Sequence, residues 1–170
     1  MKLIALHIFK WNEEEAILLC SDFDLSMLWA FQKGMARDHI NFNARTIASR
    51  IPPGNKASVS LENDEGLCYC WTTKDGLSAT AITDNQYPEK AAFILLNNLI
   101  MDFREYFASD PRVYENATSD AKLKYENLEL FLKKWQDPHE ADKLLKIEKE
   151  LHEVKEIIHK NLADLLRKGE

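Results

Sequence analysis

Apolar positions recur along this chain with two different periods, and turn residues mark where one gives way to the other. Residues 2–9 are apolar on both faces, which predicts a strand covered from both sides. Asn12-Glu13-Glu14 predicts a turn, and residues 16–20 the returning strand. Asp24 or Ser26 can cap a helix beginning near Met27. Its apolar positions are Trp29, Phe31, Met35, Ile40, Phe42, Ala44 and Ile47, and Pro52-Pro53-Gly54 ends it. Three short strands follow. Ala57, Val59 and Leu61 alternate with polar residues, a turn over 63–66 leads into 67–71, and Asp75-Gly76 turns into 77–83. Asp84-Asn85 opens a long helix with Pro88 at its start and Ala92, Leu95, Leu96, Leu99, Phe103 and Tyr106 along one face. Ser109-Asp110-Pro111 breaks the chain. A shorter helix then carries Tyr125, Leu128, Leu132 and Trp135, closed by Asp137-Pro138. The order ββαβββαα predicts an α+β body, a five-stranded antiparallel sheet with helices packed over its faces.

Past His139 the pattern changes. Steps of three and four from Leu144 reach Leu144, Ile147, Leu151, Val154, Ile158, Asn161, Leu165 and Lys168, mostly large aliphatics. That spacing predicts one helix with a seam for other helices. Glu148, Lys149, Glu150, Glu153, Lys155, Glu156 and Lys160 lie between them on a solvated face. Leu145, Ile157, Leu162 and Leu166 widen the stripe, which suits a bundle better than a pair of helices. Pairs such as Asp142–Lys146 and Glu156–Lys160 add only about 0.2–0.5 kcal/mol each. The segment therefore needs a partner, either its own body or other chains.

Composition narrows the class. The tail from His139 carries seven Lys/Arg and eight Asp/Glu, leaving fifteen and twenty for the body. Both parts are acidic on balance, which disfavours nucleic-acid binding through counterion release. Three cysteines, an odd number, argue against a disulfide framework and for a reducing compartment. Regular pleating places Cys68 and Cys70 on one face of their strand as packed thiols. The apolar run at the N-terminus is too short for a signal peptide, and no stretch of about twenty apolar residues could span a bilayer. Asn116-Ala117-Thr118 matches the glycosylation sequon and is read as coincidence. No catalytic set emerges: His152-Glu153 lacks the second histidine of a zinc-peptidase motif, Glu156 standing there, and no glycine-rich phosphate loop exists among five glycines. The chain is expected not to be an enzyme, and no metal site or cofactor is expected.

The element order resembles a longin domain, a profilin-like fold, followed by a SNARE motif. Three stretches carry the resemblance: Met1-Lys2-Leu3, Asp84-Asn85-Gln86-Tyr87-Pro88, and Gln136-Asp137-Pro138-His139-Glu140-Ala141-Asp142. Together they are similar to the prenylated branch of the synaptobrevin-like longin R-SNAREs, which lacks a transmembrane anchor. The resemblance implies a longin domain over 1–136 and the amino-terminal half of the R-SNARE coiled-coil motif over 137–170. It implies vesicle membrane fusion, with ER-to-Golgi transport among its settings, through a parallel four-helix bundle with three Q-SNARE helices. The positions from Leu144 to Lys168 are then the packing layers.

The same resemblance implies self-regulation. A hydrophobic groove by the first helix, with Phe42, Phe31 and Met35, would receive the SNARE segment or a lipid chain; Phe42 is otherwise an ordinary core residue. Two departures stand out. The family's central arginine aligns with Lys168, with Arg167 beside it, so either can serve the ionic layer; lysine lacks the planar fork of arginine. The sequence stops just past that layer, as expected of a truncated chain. The prenyl and palmitoyl groups expected on the complete protein have no acceptor cysteines here. Membrane contact through those lipids, at the cytosolic face of Golgi, ER or vesicle membranes and otherwise in the cytoplasm, is the expected location. Two rivals remain, a longin-type adaptor that uses the fold as a binding module and a small enzyme on a profilin-like scaffold.

Overall fold

The computed structural model describes residues 2–140 and 156–167. The apolar run at the start forms β1 (Leu3–Lys10), which is central because β2 (Ile17–Phe23) pairs with one edge and β5 (Leu77–Thr83) with the other, both antiparallel. β4 (Leu67–Thr72) and β3 (Asn55–Ser60) extend the sheet by hairpins. Gly76, at φ 89°, supplies the left-handed turn residue that the Asp75-Gly76 pair predicts. Among the described residues the sheet has six strands, in the order β2-β1-β5-β4-β3-β6, where the sequence predicts five. The sixth, β6 (Ile157–Asn161), comes from the tail.

Each face of the sheet carries its own core. α2 (Glu89–Tyr106) and α4 (Asn127–Lys134) cover one face. Leu95, Leu96, Leu99 and Phe103 pack there with Leu6, Ile8, Leu128, Leu132 and Trp135. The expected stripe of α2 is buried up to Phe103, while Tyr106 is exposed. α1 (Ala30–Arg50) covers the other face with Ala44, Ile47 and Ala48 against Ala5, Phe9, Ala57, Val59, Cys68 and Cys70. Between α2 and α4 the chain makes the short α3 (Arg112–Glu115) and an extended stretch that shields the β2 edge. Ala121 and Leu123 donate to the Leu18 and Leu19 carbonyls at 2.8 and 3.0 Å. Asp120 pins that stretch, accepting both Arg45 guanidinium nitrogens at 2.8 and 2.7 Å.

The stretches that carry the resemblance gather around the end of α4. Tyr87 donates its hydroxyl to the Trp135 carbonyl at 2.7 Å, and Gln136 brackets Leu3, donating to its carbonyl at 2.7 Å and accepting its N–H at 3.1 Å. They close the end of α4 onto β1. The first helix begins later than the sequence predicts. Asp24 and Ser26 are used in a turn of their own, where Asp24 accepts the Ser26 hydroxyl at 2.7 Å. Helical geometry starts after Trp29, whose N–H is accepted by the Gln32 side chain at 3.2 Å.

His7 lies beneath α1, fully buried, its Nε2 2.7 Å from Asn41 Oδ1 and its ring stacked on Phe9. Burial lowers its pKa to about 4; Asn41 works the other way, and Arg45 lowers it further. The unfolded chain takes up this proton near pH 6.5 and the folded chain only near 4, so the unfolded state binds more protons in between. The contribution is whole above about pH 6.5 and drains away toward 4, a loss of about 3 kcal/mol. Urea midpoints across that window are expected to fall less steeply for His7→Gln than for the parent; equal slopes would contradict this.

Candidate functional site

The site is the far edge of the sheet. β3 turns one edge to β4, and its other edge would be a row of open backbone donors and acceptors. β6 fills it in parallel, in the register Lys56↔Ile157 through Ser60↔Asn161. The chain then turns into α5 (Leu162–Arg167), which lies against α1. Strand geometry sends neighbouring side chains to opposite faces. Ile157 packs into the core under α2, whereas Ile158 packs into the core under α1. Leu162 and Leu165 complete the α1 side, with only 2% and 3% of their surface exposed. Burying two leucines this fully contributes about 1.5–3 kcal/mol each, opposed by the entropy of ordering the segment.

Charge is sparse around this edge. The Lys56 ammonium sits over the rings of Trp71 and Phe93, 5.1 and 5.2 Å from their centres. Burial lowers its pKa, and Glu89 at the start of α2 works against that shift. The same Glu89 meets His159 of β6, Oε1 to Nε2, at 2.9 Å. Cys68 and Cys70 lie on one face of β4, both free thiols in the α1-side core, and Cys20 is buried on the other side. Burial raises the Cys20 and Cys70 pKa values to about 12 and about 11, and pushes the Cys68 thiol well above its ordinary value. Reactivity needs the thiolate, so these three are packing groups.

Residues 25–132 match the Longin family, described as a regulated-SNARE-like domain. Relatives are similar along the whole chain. A synaptobrevin homolog YKT6 of Yarrowia lipolytica is 35% identical over 172 aligned positions, covering 100% of this chain and 84% of the relative. The VAMP-like protein YKT61 of Arabidopsis thaliana is 36% identical, with 100% and 83% covered. Synaptobrevin homolog ykt6 of Schizosaccharomyces pombe is 31% identical, again with 100% and 83% covered. The chain belongs to the longin-domain R-SNAREs of the Ykt6 type.

In this R-SNARE the expected layer positions fall into three groups. Leu144, Ile147, Leu151, Val154 and Lys168 lie outside the described residues. Ile158 and Leu165 are turned into the α1-side core, and Asn161 is exposed at the end of β6. The expectation of one helix from 139 onward is corrected over 157–161, which is strand. There the open edge of β3 offers backbone partners, and that outweighs local helical preference.

The groove residues are not gathered in a groove among the described residues. Phe31, Met35 and Phe42 are exposed at 79%, 78% and 59%, on the side of α1 away from the sheet, with Trp29 at its start also exposed. Phe42 is therefore not a core residue. Helical spacing marks Ile157 and Leu162 only as flanks of the seam, and it gives no sign of the contact between His159 and Glu89. The neighbouring β-branched pair Ile157-Ile158 is the available signal, since β-branched residues favour a strand, where the two side chains point to opposite faces.

Proposed function

We propose that this R-SNARE rests with residues 157–167 docked on its own longin body and acts in vesicle fusion when that segment is released to three Q-SNARE helices. One observation carries the reading: Ile158 and Leu165, both seam positions, are turned into the core of the body. While docked they are withheld from any bundle, and β6 would have to become helix to join one. The kinship with a synaptobrevin homolog and a VAMP-like protein supports the fusion role. We assign 1–136 to the regulatory body and 137–170 to the assembling segment. Membrane attachment through a prenyl or palmitoyl group on a cysteine of the complete protein, at Golgi, ER or vesicle membranes, belongs to the same proposal. No helix among the described residues is long and apolar enough to cross a bilayer.

The test is assembly. Mixing the chain with three soluble Q-SNARE helices is expected to raise helical circular dichroism above the sum of the parts and give a complex that survives gel filtration. A spectrum equal to that sum would point instead to an adaptor that uses the fold only as a binding platform.

A further inference from the structure

The tail has two modes of burial, and they do not select the same side chains. In a helical bundle the seam uses Ile158, Asn161 and Leu165, with Ile157, His159 and Leu162 beside it. In the docked form Ile157 enters the core under α2, Leu162 is more deeply buried than any other described residue of the tail, and Asn161 is exposed. His159 reaches Glu89 at 2.9 Å. That pair is more than a third exposed on both sides, so it orients the strand more than it stabilises it. Ile158 and Leu165 serve both forms and cannot distinguish them.

We propose that docking is specified by side chains the bundle does not place in its layers, chiefly Ile157 and Leu162, with His159 setting the approach to Glu89. The tail then carries two overlapping codes, one read with the alternation of a strand and one with the spacing of a helix. Ile158 and Leu165 answer to both forms, and the flanking residues tune how often the segment is available without altering the layers. This rests on the reading of the docked segment as the resting state.

Ile157→Gln and Leu162→Gln separate the two codes. Glutamine is a good helix former, so neither change handicaps a helix, but a polar amide in either core is unfavourable. Amide exchange along the β3 edge that faces β6 is expected to speed up about tenfold or more in each variant, while β1 and β5 stay protected and report an intact body. Assembly with three soluble Q-SNARE helices is expected to be slowed far less than by a change in a layer, because Ile157 and Leu162 only flank the seam. Leu165→Gln, in contrast, speeds exchange and slows assembly. Unchanged β3 exchange in both flanking variants would overturn the proposal, as would assembly slowed as much as in Leu165→Gln. If no form of the chain assembles while exchange still responds, it is the fusion reading that fails, and the docking code stands.

Discussion

Leu165→Asp is expected to leave the tail both undocked and unable to assemble. Leu165 is almost wholly buried beside Leu162 in the core under α1, and its spacing from Ile158 and Asn161 puts it in the seam of a bundle as well. The substitution removes about 1.5–3 kcal/mol of apolar burial. It also asks a carboxylate to leave water without a partner, which costs more than the lost burial. The docked state should lose several kcal/mol, a shift of roughly a thousandfold or more toward release. Two measurements check this: fast amide exchange along the outer edge of β3, and no gain of helicity with Q-SNARE helices. A variant that exchanged quickly yet assembled normally would remove Leu165 from the seam.

Gly66→Ala is the second large effect, and it strikes the body. Gly66 opens β4 with φ 132°, a conformation that side chains rarely adopt. A methyl group there would stand 2.1 Å from the Thr83 carbonyl oxygen of β5. That neighbour is backbone within a paired strand, so it cannot swing aside. Backbone strain of about 1–3 kcal/mol and a similar cost of overpacking together reach about 4 kcal/mol. For a chain of 170 residues that lowers the thermal midpoint by roughly 10 °C or more. Gly34, at an exposed helical position where an added methyl group would meet nothing within 4 Å, is the control. Gly34→Ala should not lower the midpoint.

Most of the body was legible because its periods are unambiguous. The alternation through Ala57 and Val59, the four-residue steps through Leu95, Leu99 and Phe103, and the dipeptide Asp75-Gly76 each have one good structural solution, and the fold adopts it. Boundaries were less legible where one residue had two uses. Asp24 and Ser26 are good helix caps, yet they commit their oxygens to a turn before the helix. Residues 157–161 escaped local reading for a deeper reason. Their helical spacing is real and suits the proposed bundle, while the strand answers to an edge of the sheet that no local pattern reveals. The excess of apolar residues along α1 was visible in Trp29, Phe31 and Met35, but not the side on which it would lie.

The place of β6 at the edge of the sheet, paired on one side to β3, has a mechanical consequence. A bundle that grows from the amino-terminal layers reaches Ile157 first and Asn161 last, and β6 is held to β3 by a ladder running the same way, from Lys56↔Ile157 to Ser60↔Asn161. The strand would be peeled from one end, each rung breaking as the advancing helix gains a residue. Resistance at any moment is that of a single rung, and a sliding mode that loads the whole ladder together is avoided.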